Sequence, residues 1–179
     1  MRSNSSRPWT IGKVLKILVT IAVAACLVVA EQVAVPSAFA AGSANTVLQI
    51  QRSGTPVCLQ NEGVNERQLT EALCMSSIPT QRWFWISDGS TGSKFVAAST
   101  GSSCMNVQNS SNSVDAKIVI SDCAQDSSQS WLIFSTPTPN SFILQNVNSH
   151  LCITRAVIGV VQEVCSQSLA TQNFLLNVV

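Results

Sequence analysis

The chain has 179 residues, of which 46% are hydrophobic and only 11% charged, with a formal net charge of +1. No Lys/Arg cluster follows the first sixteen residues, so a basic nucleic-acid-binding surface is not expected. One histidine and no tyrosine leave few groups for acid–base chemistry near neutral pH, and the composition points away from an enzyme.

The first element in chain order is a leader. Arg2, Arg7, Lys13 and Lys16 form a positive segment, Ile17 to Ala30 is a 14-residue apolar run, and Ala38-Phe39-Ala40 offers the small residues that a signal peptidase reads. This order predicts a signal peptide over residues 1–40, cleavage before Ala41 and a secreted product. A membrane span needs roughly 20 apolar residues, and Glu31 and Gln32 interrupt this run. Val23-Ala24-Ala25-Cys26 offers a second route, a lipoprotein anchored at Cys26, although Leu27-Val28-Val29-Ala30 stays apolar where a polar tether is expected. Cleavage after Ala40 leaves 139 residues with six basic and eight acidic side chains, a net charge of −2 and no expected membrane span. The cysteine count falls from seven to six, an even number outside the reducing cytosol, which is the condition for a disulfide framework.

Residues 41–179 read as one domain built from three copies of a unit, at about 46–92, 93–139 and 140–179. The first cysteines of the copies, Cys58, Cys104 and Cys152, are 46 and 48 residues apart; the second, Cys74, Cys123 and Cys165, are 49 and 42 apart. A Gln-x-aromatic triplet follows each second cysteine: Gln81-Arg82-Trp83, Gln129-Ser130-Trp131 and Gln172-Asn173-Phe174. Within the second copy, short β-branched and aromatic segments predict strands at Lys94–Ala98, Cys104–Val107, Lys117–Ser121 and Trp131–Phe134. Clusters such as Thr100-Gly101-Ser102-Ser103 and Asn109-Ser110-Ser111-Asn112 separate them. Four strands per copy predict an all-β, barrel-like domain of about twelve strands, with no helical stripe after Ala40.

Six cysteines permit 15 pairings. The repeat favours one bridge per copy, hence Cys58–Cys74, Cys104–Cys123 and Cys152–Cys165. A zinc site has no Cys-x-x-Cys and one histidine to draw on, so neither a metal nor another cofactor is expected. Phosphate-loop and dinucleotide patterns are absent. His150 has no Gly-x-Ser-x-Gly partner and reads as a turn residue, and Glu62, Glu66 and Glu71 read as a linker segment rather than a catalytic pair. Asn109-Ser110-Ser111 is a glycosylation sequon.

A unit with two cysteines and a Gln-x-Trp triplet, repeated three times, resembles the ricin B-type lectin family, whose fold is the β-trefoil. The resemblance spans about residues 46–179. It implies that Trp83, Trp131 and Phe174 pack inside the trefoil, that the motif glutamines fix neighbouring backbone, and that Trp85 joins the core from the same strand face as Trp83. Phe174 has no indole N–H, which implies one hydrogen bond fewer in the third copy.

The resemblance also implies a sugar site with three parts. A carboxylate two residues after the first cysteine accepts from sugar hydroxyls, an aromatic two residues before the second cysteine stacks on the ring, and an amide stands just before the Gln-x-aromatic triplet. This chain has Gln60, Asn106 and Thr154 at the first position, Ala72, Ser121 and Glu163 at the second, and Thr80, Ser128 and Thr171 at the third. Asn106 is the best candidate, because an amide both donates to and accepts from hydroxyls. Asp122 and Asp126 flank Cys123 as displaced carboxylates, and Gln60 with Glu62 is the equivalent in the first copy. Gln81 and Gln129 complete the candidate set, while Thr154 and Arg155 make the third copy the poorest. A non-catalytic glycan-binding module is therefore expected. The rival reading is a protein partner in a secreted complex, such as an accessory or delivery subunit of a toxin, with Thr136-Pro137-Thr138-Pro139 as a displayed loop. A trefoil protease inhibitor is a third class, which does not usually carry Gln-x-Trp in every copy.

Overall fold

The computed structural model describes residues 46–87 and 92–179. The expected leader and Cys26 lie outside the described residues. Twelve strands run in chain order: β1 (Thr46–Arg52), β2 (Val57–Gln60), β3 (Thr70–Leu73), β4 (Trp83–Ser87), β5 (Ser93–Ala97), β6 (Ser103–Val107), β7 (Ile118–Asp122), β8 (Trp131–Ser135), β9 (Phe142–Asn146), β10 (Cys152–Arg155), β11 (Val160–Glu163) and β12 (Phe174–Val178). Four strands fall in each expected copy, and every second-copy boundary lies within one residue of its predicted place. Among the described residues the only helical pieces are three-residue 3-10 turns.

Six strands close a ring of antiparallel pairs, β1–β4, β4–β5, β5–β8, β8–β9, β9–β12 and β12–β1. Closure removes the open edges that would invite aggregation. The remaining strands form three hairpins, β2–β3, β6–β7 and β10–β11. Backbone bonds link the hairpins to one another: Leu69 N donates to Ile118 O at 2.8 Å, Gln162 N to Ala116 O at 2.9 Å, and Val160 N to Leu69 O at 2.9 Å. This architecture is a β-trefoil.

The strand period of two decides what is inside. In β4, Trp83 and Trp85 are buried while Phe84 is half-buried and Ile86 exposed. Trp83, Trp131 and Phe174 are all fully buried and belong to one core cluster with Leu48, Phe95 and Leu144. Only one of the three uses an indole hydrogen bond: Trp131 Nε1 donates to Met105 O at 3.2 Å, whereas Trp83 Nε1 has no partner among the described residues. The bond that Phe174 lacks is therefore a feature of the second copy alone.

The three bridges are Cys58–Cys74, Cys104–Cys123 and Cys152–Cys165, each within its own copy. They span 16, 19 and 13 residues. Closing loops of that size stabilises the fold by about 3 kcal/mol each in the chain-entropy account. They also hold the two strands of each hairpin together.

Candidate functional site

The motif glutamines end three short 3-10 turns, Pro79–Gln81, Ser127–Gln129 and Ala170–Gln172. Each uses its amide in the same way. Gln81 Oε1 accepts from Met75 N at 2.7 Å and its Nε2 donates to Leu73 O at 2.9 Å. Gln129 makes the same pair with Ala124 N (2.8 Å) and Asp122 O (2.9 Å), and Gln172 with Ser166 N (2.7 Å) and Val164 O (2.9 Å). The backbone groups on either side of the second cysteine leave their hairpin unpaired, and one amide satisfies both. Gln81 and Gln129, candidates for sugar contact from the sequence, are thus buried and engaged on backbone, a structural use.

The three positions that the resemblance reserves for a sugar come together differently in each copy. In the second, Asn106 Nδ2 donates to Ser121 Oγ at 3.0 Å, and Ser128 Oγ donates to Asn106 Oδ1 at 2.7 Å. The chain of polar groups continues at both ends. Ser121 Oγ donates to Glu66 Oε1 at 2.5 Å, and Ser110 Oγ lies 3.2 Å from Ser128 Oγ and 3.1 Å from Asp126 Oδ2. Asn106 sits at the centre, 8% exposed, with a carboxylate at either end of the series. Asp126 also caps the Ser127–Gln129 turn, accepting from Ser128 N at 2.9 Å. That backbone bond, against a smaller opposing effect of burial and with help from the Ser128 and Ser110 hydroxyls and Lys94, holds its carboxyl below the usual value of 3.8. Asp126 is therefore an anion across the ordinary pH range, and each carboxylate has acceptor capacity for hydroxyls beyond the bonds it makes.

In the first copy Gln60 Oε1 is drawn inward to accept from Gln81 Nε2 at 3.0 Å, and Ala72 has no polar group to add. In the third, Thr154 Oγ1 donates to Thr171 Oγ1 at 3.2 Å, with no side-chain amide or carboxylate among the described residues bonded to either. Asp122 stands apart from the second-copy series: it is exposed and accepts from Asn65 Nδ2 at 2.7 Å. His150 is an exposed turn residue with φ of 58°.

Two acidic residues behave otherwise than their sequence context implies. Glu71 lies in β3 rather than in a linker, its side chain 6% exposed, and it accepts from Arg52 Nε at 3.0 Å and Arg155 Nε at 3.2 Å. It joins the first copy to the third. Glu66 belongs to the loop that ties the first hairpin to the second, with its N–H on Ile120 O at 2.8 Å. Its positive φ of 63° turns the chain there and brings its carboxylate to Ser121. Glu66, Ser110, Ser121 and Ser128 are the members of the polar series that sequence reasoning did not select. The occupants of the three lectin positions were legible, but the loop contribution of Glu66 comes from a neighbouring copy and has no local signal.

With this geometry in place, the comparison with known proteins is direct. Residues 79–157 match the family described as ricin-type β-trefoil lectin domain-like. Over those residues the chain is similar to that family, and its fold is the β-trefoil. Among similar solved structures, the designed threefold-symmetric protein ThreeFoil has 17% identity and a TM-score of 0.67, over 74% of this chain and 99% of that one. A Polyporus squamosus lectin, solved with a human-type influenza-binding epitope, has 13% identity and a TM-score of 0.63, over 76% and 50%. The Haemophilus ducreyi cytolethal distending toxin has 13% identity and a TM-score of 0.60, over 74% and 83%. Other similar chains are far longer, this one spanning 30% of one and 17% of another. At these identities the likeness is one of fold. No curated protein matches the chain. Among the described residues, no group of three His, Cys, Asp or Glu side chains is placed to hold a metal ion, and no helix is long and apolar enough to cross a membrane.

Proposed function

We propose that this protein is a secreted, non-catalytic carbohydrate-binding module whose live site lies in the second copy of the trefoil. The observation that carries the reading is the polar series Glu66–Ser121–Asn106–Ser128–Ser110, with Asp126 sharing the single hydroxyl proton of Ser110. Hydroxyls and carboxylates fixed by mutual hydrogen bonds are pre-organised acceptors for vicinal sugar hydroxyls, and charge-assisted bonds are the stronger kind. The carboxylates of Glu66 and Asp126 take the part of the missing acid two residues after Cys104. Ser121 offers no stacking face, so affinity at this site is modest. The three disulfides support export to an oxidising compartment. A glycan array with the exported protein tests the reading: binding to a defined glycan set, lost in Asn106→Ala and retained in Thr154→Ala, supports it. Silence across plant, microbial and animal glycans contradicts it.

A second reading has its own observation. The tip of the β10–β11 hairpin presents Val157 and Ile158 to solvent at 91% and 80% exposure. Adjacent exposed aliphatic side chains suit a protein contact, and the toxin with the same fold is a relevant precedent. An accessory subunit of a secreted complex elutes above its own mass from native secretome, whereas a lone monomer argues against a standing complex.

A further inference from the structure

The pseudo-threefold symmetry breaks at one junction between copies. The outer faces of the strand pairs joining successive copies present two cross-strand pairs each. These are Leu132–Gln145 and Phe134–Ile143 where the second copy meets the third, and Leu175–Gln51 and Asn177–Gln49 where the third meets the first. Where the first meets the second they are Phe84–Val96 and Ile86–Lys94. A glutamine thus stands at two junctions where the remaining one has Val96.

Those glutamines bond the turn that precedes the first cysteine of their copy. Gln145 Nε2 donates to His150 O at 2.9 Å and lies 3.5 Å from Cys165 Sγ; Gln51 Nε2 donates to Thr55 O at 2.5 Å. The second and third turns correspond: Gly101 and His150 both have positive φ, and Gly101 N bonds Ala97 O as His150 N bonds Asn146 O, while the first turn is shorter, with Gly54 three residues after Gln51. Valine at position 96 has no amide to send to the Gly101 turn, and an open groove of about 680 Å³ lies there. Phe84, Ile86 and Val96 line it on one side, and the Cys104–Cys123 bridge with Gly101 and Gln125 on the other. Lys94 contributes its stem, its ammonium being bonded to Ala124 O at 2.6 Å. A concave, mostly apolar wall with a few convergent polar groups is the usual form of a small-ligand site, and this volume falls in the usual range.

We infer that this groove binds an acetamido sugar, an N-acetylhexosamine unit, as a second site apart from the Asn106 series. The inference rests on the glycan-binding reading. The third junction shows what fits: an amide N–H aimed at His150 O, the carbonyl of the positive-φ residue and the counterpart of Gly101 O. An acetamido group supplies that N–H, its methyl group suits the Val96 and Ile86 surface, and the pyranose C–H face lies on Phe84.

The test uses the exported protein labelled with nitrogen-15, titrated with N,N′-diacetylchitobiose and with cellobiose, which differ in the acetamido group. Diacetylchitobiose is expected to shift the amides of Gly101, Ser102 and Gln125, and cellobiose to bind at least about tenfold more weakly. Val96→Gln installs the sister residue, and Phe84→Leu the residue type of Leu132 and Leu175; each weakens diacetylchitobiose by about tenfold or more while melting as the parent does. Thr154→Ala, in the third copy, leaves it unchanged. Equal binding of the two disaccharides, no binding of either, or binding that survives both groove variants overturns the inference. Shifts confined to Asn106, Ser121 and Ser128 and abolished by Asn106→Ala overturn the groove while leaving the glycan-binding reading intact. Loss of array binding with the groove still occupied has the opposite meaning.

Discussion

The second and third copies share a fold, a bridge and a glutamine clamp, yet only the second builds a polar site. At matched positions the second has Asn106, Ser121 and Ser128 in mutual contact, and the third has Thr154, Glu163 and Thr171 with a single hydroxyl–hydroxyl bond. The difference is one of connectivity more than of residue polarity. Asn106 has its donor and its acceptor on separate atoms, which bond Ser121 and Ser128 respectively, whereas Thr154 has one hydroxyl oxygen for both roles. The scaffold is repeated three times, while this polar series gathers on the second copy and takes Glu66 from its neighbour.

The largest effect that sharpens this comparison is on the common scaffold. Replacing Cys104 and Cys123 with alanine should cost about 3 kcal/mol in denaturant unfolding, and the Cys152/Cys165 pair a few tenths less because its loop is shorter. Next comes the clamp. Gln129→Leu strands the Ala124 N–H and the Asp122 carbonyl and should cost about 2–3 kcal/mol. Gln172→Leu should cost a similar amount, since its bonds are the same. A large difference between the two would break the claim that the clamp is equal in all copies.

A smaller effect separates the copies again. Trp131→Phe removes a made hydrogen bond and should cost about 1 kcal/mol more than Trp83→Phe, whose indole N–H has no partner among the described residues. The smallest is pH-dependent. Asp126→Ala should lower stability by about 1 kcal/mol at neutral pH through loss of the turn cap. Because the native carboxyl titrates below its unfolded value of 3.8, that contribution is fully present above 3.8 and is lost as pH falls through the lower native value. The melting curves of parent and variant should therefore converge in acid and differ at neutral pH.

Much of this was legible in the sequence because local spacing carried it. Cysteine and Gln-x-aromatic spacing fixed the copies and the bridges, and the alternation in Trp83-Phe84-Trp85 marked the core face. The site was legible only as a set of positions. Asn106 stood out by its side chain, but Glu66 reaches Ser121 across 55 residues through a loop whose turn depends on one positive φ. Glu71 likewise meets Arg155 from another copy, a pairing that no spacing rule reaches. Contacts between copies depend on how hairpins dock, and hairpin docking is a property of the closed trefoil rather than of any one segment.

The central claim, that the second copy's polar series recognises glycans, is tested most directly by backbone amide shifts during titration with the strongest array glycan that lacks an acetamido group. The account predicts shifts at Asn106, Ser110, Ser121, Asp126 and Ser128, with Thr154, Glu163 and Thr171 unmoved. Shifts centred on the third copy's matched positions, or undiminished affinity in Asn106→Ala, would contradict it.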